Sequence, residues 1–372
     1  MSSLEQRILA CSAEMNPDSS QQQRMRNLLS QEMDMDRLIT AAVKEGLAGL
    51  LYKNLLRSDL LEIFDLKQRE RLKSLYYQTV LFNLKLINDL KEILPLLNQE
   101  KIRVVLMQGI ALLPQIYEDI GLRPMTDIDL WVLQKHYSGL INMLKKQAFQ
   151  RDPSYPNSFK RGSTIIELHT HILWADRIRA RKLVLTKSQE HIYGDTRIMH
   201  FDGHEALCLN PSDQVIYLSL HALKHNVNRL MWLVDIKFLL SDWKKSDWVA
   251  FVDRAKELGQ EKTVSYIFFL LLHLFDFQLP LEVRRLMERN RLNFLEKKAL
   301  RDRIKKDSLP VWSPLVCFPT GKGLKRRFSF ILETLFPRPD VLKQIFADSA
   351  DQKVWKLYIK RALQLFGMIK MP

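Results

Sequence analysis

Asp127 and Asp129 stand two residues apart in the run DIDLWVL, Asp127 to Leu133. Side chains at i and i+2 of a strand leave by the same face, so this spacing sends two carboxylates into one space. Two such charges about 4 Å apart repel by about 4 kcal/mol at an effective dielectric of 20. A hard divalent cation relieves that repulsion, takes oxygen ligands and keeps sites for phosphate, which makes Mg2+ the natural partner. Paired ions about 3.5–4 Å apart can also clamp the attacking and leaving oxygens of an in-line displacement. The plainer reading has Asp127 capping a turn and Asp129 facing solvent from an edge strand. Ile128, Leu130 and Val132 alternate with the aspartates and give the run an apolar face, as a half-buried strand requires.

Other residues could join this pair. Glu167 sits in TIIELHT, flanked by Ile165, Ile166 and Leu168. Beside the aspartate strand it completes a three-carboxylate site, where it orients or deprotonates an attacking hydroxyl or holds a second metal. On an edge strand it simply faces out. Gly109 follows an apolar run and precedes a helical pattern, so backbone N–H groups and a helix N-terminus can approach a phosphate there. Strand-to-helix turns also use glycine routinely. Arg123 and either Lys160 or Arg161 flank these positions and are candidates for triphosphate oxygens, with plain surface charge as the alternative. His169 and His171 follow Glu167 at two-residue spacing and could contact phosphate or an acceptor; a zinc site needs further ligands, and none is evident. His221, His225 and Arg229 recur at four-residue steps and share a helix face, with Asp235 beyond. A polar stripe packed on the core is the equal alternative.

The elements that must position these residues follow from periodicity. Residues 1 to about 100 read as helices, with apolar steps of three and four in Leu38 to Leu56 and Arg71 to Leu97, and with Pro95 as an interruption or kink. The period changes at Ile102. IRVVLM, Ile102 to Met107, is a strand pattern. A short helix then ends near Gly121, the turn LRPMT follows, and Asp127 to Leu133 is a second strand. A helix from His136 to Gln147 and a Pro-, Ser- and Asn-rich loop (152–158) lead to a third strand, Ser163 to Ile172, and a hairpin over Ile192 to Phe201. This alternation is an α/β signature. From about His204 the pattern is helical: a segment beginning at Pro211, then Met231 to Leu240, Trp248 to Leu258, Val264 to Phe275 and Leu281 to Lys306. A loop from Leu309 to Gly323 precedes a closing helix, Val354 to Met368.

Composition bounds the class. The chain has 372 residues, 47% hydrophobic and 27% charged, which excludes a disordered, collagen-like or disulfide-stapled protein. With 57 Lys and Arg against 42 Asp and Glu, its net charge of +15 favours an anionic partner. Cys11, Cys208 and Cys317 are scattered, which suits a reducing compartment. No signal-peptide pattern is evident at the N-terminus, and Val264 to Phe275 is too short to span a bilayer. A cytoplasmic location with no transmembrane segment is the expectation. Glu282 to Lys306 holds ten Lys or Arg against four Asp or Glu and could track a nucleic-acid backbone, although a solvated helix face is commoner. Lys353 to Pro372 is basic and amphipathic; packing through Trp355, Leu357, Ile359 and Leu363 is its default, and a membrane surface or a partner its alternative.

Four segments together carry a resemblance: AAVKEGLAGLLYKNLL, VVLMQGIALLPQIYEDIGLRPMTDIDLWV, IIELHTHILW and LSLHALKHNVNRLMWLVDIKFLL. The chain resembles the uncharacterised nucleotidyltransferase family of the DNA polymerase β-type superfamily from about residue 35 to 275. The resemblance implies an α+β fold: a small mixed-sheet core at 101–203 between helical regions at 1–100 and 204–372. It implies transfer of a nucleoside monophosphate from an NTP to an unidentified acceptor, with release of pyrophosphate and Mg2+ or Mn2+ as cofactor. Asp127, Asp129 and Glu167 become the catalytic and metal-holding set. Gln108, Gly109, Arg123, His225 and Arg229 become the nucleotide-binding set, with His225 or Arg229 near nucleotide or acceptor. Two departures keep other readings open. Gln108 stands where the closer family more often has Lys, and Ile110 follows Gly109 where the superfamily has Gly-Ser or Gly-Gly. A catalytically impaired nucleotide- or RNA-binding module of the same fold is one alternative; a tRNA- or RNA-modifying nucleotidyltransferase, suggested by the basic surface, is the other.

Overall fold

Short β-branched runs separated by helix-period segments have to pair before they are stable, and here they pair into one mixed sheet. The computed structural model describes residues 3–153, 155–175, 178–317, 324–346 and 352–365. Among these the strands are β1 (Val105–Met107), β2 (Ile128–Trp131), β3 (Gln150–Arg151), β4 (Ser158–Arg161), β5 (Thr164–His169), β6 (Arg197–Phe201) and β7 (His204–Cys208). Their order is β3-β4-β5-β2-β1-β7-β6. β1 runs antiparallel to β2 and parallel to β7, and β2 runs parallel to β5. Every residue of β1 and β2 is buried, which is why these central strands read as nearly continuous apolar runs. The class is α+β, as the sequence implies, with helices before and after the sheet.

Several boundaries differ from expectation for local reasons. The strand expected from Ile102 begins only at Val105. The sheet runs past residue 203, because β7 pairs with β1 and forms a hairpin with β6. Asp202 and Gly203, with φ of 52° and 82°, make the turn between β6 and β7, the Asp-Gly signature of a two-residue hairpin loop. The hairpin expected over Ile192 to Phe201 is therefore displaced, and Gln189–Gly194 is a short helix. Pro95 lies inside an unbroken helix, Leu66–Gln99. Gly46, at φ 77°, ends the helix Met35–Glu45 and splits the Leu38 to Leu56 pattern. The basic segment is two helices, Leu281–Arg289 and Phe294–Lys305, with Asn293 capping the second.

One apolar cluster joins the first helix to the sheet and to the helices that follow it. Val264 to Phe275 belongs to a largely buried helix, Glu261–Phe275, and no helix among the described residues is long and apolar enough to cross a membrane. A second, small cluster of Leu342, Phe346 and Leu357 stands apart near the C-terminus. There the expected packing is only partly realised: Leu357 is buried, but Trp355 and Ile359 are exposed. The closing helix is described over Val354–Leu365; its expected end at Met368 and residues 318–323 of the expected loop lie outside the described residues.

Candidate active site

Strand register sets the site. β2 and β5 are parallel neighbours with Asp129 opposite Glu167 and Trp131 opposite His169. Residues directly opposite in a sheet share a face, and Asp127 precedes Asp129 by two, so the carboxylates converge. The expected adjacency of the two strands is what the structure has. Asp129 is buried, and its Oδ1 shares a 2.7 Å hydrogen bond with His169 Nε2. Ligand atoms of Asp129, Glu167 and His169 all lie within 4.8 Å of one another. Asp127 accepts a hydrogen bond from the Thr126 hydroxyl at 3.1 Å.

The electrostatics record the crowding. Burial, and then the negative charges of Asp129 and Glu167, push the Asp127 carboxyl up to about 7. Burial pulls the His169 imidazole down, but its hydrogen bond to Asp129 and the charges of Asp129 and Glu167 win and leave it above the usual value. Three acidic side chains thus crowd one face, with the His169 imidazole beside them. The side chains within ligand distance of one another are Asp129, Glu167 and His169, two carboxylates and an imidazole, with Asp127 beside them on the same face.

These side chains open on a cavity of about 400 Å³ lined also by Gln108, Gly109, Arg123, Trp174, His221, Lys224, His225, Arg229 and Trp232. That volume lies within the range of small-molecule sites. All eight residues expected at the site from sequence meet here. The helix Gln108–Ile116 starts at the cavity wall, where its first N–H groups have no intrahelical partner. Gln108 has φ 50°, a left-handed conformation uncommon for a residue with a side chain. Such strain is commonest at functional junctions.

Arg123 differs from a free phosphate ligand. It is buried, and its Nε and Nη2 donate to Asp235 at 2.9 and 2.8 Å. Asp235 also accepts from the Tyr117 hydroxyl at 2.6 Å. Gly109 is needed for this packing, since a Cβ there would collide with Arg123 Nη1 and stand 2.7 Å from Met125 Cγ. The turn carrying Arg123 is held by Asn83, whose Nδ2 donates to the carbonyls of Ile120 and Arg123 at 2.6 and 2.8 Å and whose Oδ1 accepts from Met125 N–H at 3.2 Å. Lys160 and Arg161 lie elsewhere: Lys160 pairs with Asp152, and Arg161 with Asp89 and Glu92. Neither lines the cavity. His171 leaves the sheet and accepts the Leu173 N–H at 3.1 Å.

The opposite wall is aromatic and cationic. His221 is buried at the end of the helix Pro211–Lys224, its ring 4.7 Å from that of His225 and 5.1 Å from that of Trp232. Burial, then His225 and Lys224 nearby, hold it well below the usual imidazole range, so it is neutral. Lys224 Nζ lies 3.6 Å from the centre of the Trp174 ring. Arg229 is exposed on a loop in which Asn226 and Val227 have φ of 56° and 46°. That loop is clamped from outside: Arg303 donates to the Val227 carbonyl and to Glu45 Oε2, which also accepts the Leu230 N–H at 2.6 Å. Arg303 and Glu45 are both buried, so one of the ten cations in the basic segment is internal.

The model of the family described as uncharacterised nucleotidyltransferase matches residues 31–276. The chain belongs to this family. No curated protein matches the chain. The family span holds the eight expected residues, Asp235 and Glu45, whereas Arg303 lies beyond it. Sequence reasoning missed Asp235, Trp174 and Lys224 as parts of the site. Asp235 had a signal, a lone acid in the apolar helical run MWLVDIKFLL; Lys224 had a weaker one, three residues beyond His221.

A second cavity of about 260 Å³ adjoins the first and shares Glu167, Trp174 and Lys224 with it. Its other walls include Asn157, Leu168, Arg338 and Val341.

Proposed function

We propose that this nucleotidyltransferase-family protein is an active, metal-dependent enzyme that moves a nucleoside monophosphate from an NTP to an acceptor and releases pyrophosphate. The supporting observation is the convergence of Asp127, Asp129 and Glu167 on one cavity, where burial and their mutual repulsion raise the Asp127 carboxyl. Asp127, Asp129 and Glu167 would hold Mg2+ or Mn2+, which when bound supplies charge neutralisation at the triphosphate. His169 fixes the Asp129 carboxylate through its 2.7 Å hydrogen bond. Glu167 takes the proton from the acceptor hydroxyl, and its exposure to both cavities gives triphosphate and acceptor separate approaches. Lys224, His225 and Arg229 face the phosphates, and the N-terminus of the helix at Gln108 adds N–H donors. Arg123 acts by position, holding the wall at Gly109.

A second reading, a nucleotide-binding module without turnover, draws on Gln108 in place of a cation and on the Arg123 charge being engaged by Asp235. Incubation of the protein with each labelled NTP, Mg2+ or Mn2+ and a cell extract separates the two. Label transfer with pyrophosphate release supports the enzyme. Calorimetric NTP binding without release supports the module.

A further inference from the structure

The last part of the chain lies outside the family span and is built differently from the rest. From Phe318 to Pro372 it carries eleven Lys or Arg and four Asp or Glu. The helices Leu324–Leu335 and Val354–Leu365 lie side by side: the Tyr358 hydroxyl donates to the Pro337 carbonyl at 2.7 Å, and the Phe336 and Tyr358 rings are 6.0 Å apart. Phe328, Leu332 and Phe336 recur at four-residue steps and are 67%, 48% and 59% exposed; Trp355 and Ile359, also four apart, are 57% and 52% exposed. Four-residue spacing puts each set on one helix face.

The charge beside these faces is one-sided. Glu333, the one acid of its helix, is turned inward and accepts the Arg179 and Ala180 N–H groups at 2.8 and 2.6 Å. The helix Val354–Leu365 has no acid, and Lys353 and Lys356 beside it are exposed. Exposed Phe, Trp, Leu and Ile beside exposed lysines such as Lys353 and Lys356 form the pattern of helices that lie in a bilayer interface, where apolar burial and attraction to anionic lipid act together. We propose that the helices Leu324–Leu335 and Val354–Leu365 dock this protein on an anionic membrane surface. The same appendage contributes Arg338 and Val341 to the second cavity, so docking would bring that cavity near lipid.

Sedimentation of the full chain with phosphatidylcholine vesicles, with and without about one-third phosphatidylglycerol, tests this. Binding should need the anionic lipid and weaken with salt. Phe328→Ser combined with Trp355→Ser should weaken it about tenfold or more, with an unchanged melting temperature. Lys353→Glu combined with Lys356→Glu should weaken it similarly at low salt. Failure to sediment with anionic vesicles overturns the proposal. So does vesicle binding that neither double variant alters. An exposed face occupied instead by a second copy would show as a dimer in light scattering that the Phe328/Trp355 variant dissociates. Binding of polyuridylate but not of vesicles, lost in the Lys353/Lys356 variant, would assign the face to RNA.

Discussion

Two groups of buried charge lie within one wall of each other, and they are solved in opposite ways. Arg123 and Asp235 neutralise each other through two parallel hydrogen bonds, with Tyr117 satisfying the remaining side of the carboxylate. Glu45 and Arg303 meet through a single 3.1 Å hydrogen bond behind the loop of Arg229, with no hydrogen bond to the other Glu45 oxygen among the described residues. At Asp127, Asp129 and Glu167 three acids share one face, with His169 hydrogen-bonded to Asp129 and the Thr126 hydroxyl to Asp127, and burial together with the neighbouring negative charges pushes the Asp127 carboxyl up to about 7. Opposite charges meet in the one group, and like charges are gathered in the other. The proposed metal site rests on that difference: opposite charges tie the wall together, and like charges gather where the cation would bind.

That contrast can be broken by substitution. Replacing Asp127 and Asp129 by Asn should lower turnover by about 10^4-fold, or ~5.4 kcal/mol of barrier, measured as pyrophosphate release. It should leave the melting temperature equal or higher, because two repelling charges are removed. Sustained turnover by that variant would end the catalytic assignment. Asp235→Ala should do the reverse in kind: it strands a buried guanidinium and should cost about 3–5 kcal/mol of stability by urea unfolding. An Asp235→Ala protein as stable as the parent would show that Arg123 is free to serve a ligand.

Gly109 sharpens the same comparison, because it belongs to both sides. Its place between strand and helix suits either the approach of a phosphate or a routine turn, and the structure makes it room for Arg123. Gly109→Ala should cost about 1–3 kcal/mol by overpacking, even with no nucleotide present. A loss of nucleotide affinity in calorimetry, with stability unchanged, would return the glycine to the phosphate role alone.

The parts legible in the sequence were those with strict periodicity. The alternation around Asp127 and Asp129 and the apolar residues around Glu167 were enough to give two strands with acids on them, and the register of β2 with β5 then joined those acids. β7 was missed because His204–Cys208 is short and its pairing, with β6 across the Asp202-Gly203 turn and with β1 a hundred residues away, shows only in the folded sheet. Arg123 reads from sequence as a phosphate ligand or a surface cation, because nothing near it in sequence announces Asp235, 112 positions on. The roles of Lys224 and Trp174 depend on two cavities meeting, and a cavity has no sequence period. The span 290–293 broke an apparently continuous basic helix because Asn293 makes a better cap than an interior residue.

The smallest expected effect concerns Asp89, a neutralised charge on the long helix Leu66–Gln99 that ties it to the edge of the sheet. Its carboxylate accepts hydrogen bonds from the Thr164 hydroxyl and from Arg161 Nη2, the latter at 2.8 Å. Burial alone would raise the Asp89 carboxyl, but Thr164 and then Arg161 outweigh it and hold it below the usual value. A carboxyl lowered in the folded state contributes stability above its unfolded value, near pH 4, and loses it as pH falls through the folded one. Asp89→Asn should therefore cost about 1–2 kcal/mol at neutral pH. The difference between parent and variant should shrink as pH is lowered below about 4. Thermal unfolding of both proteins from pH 7 to pH 3 measures it, and a constant difference across that range would mean that Asp89 contributes shape rather than charge.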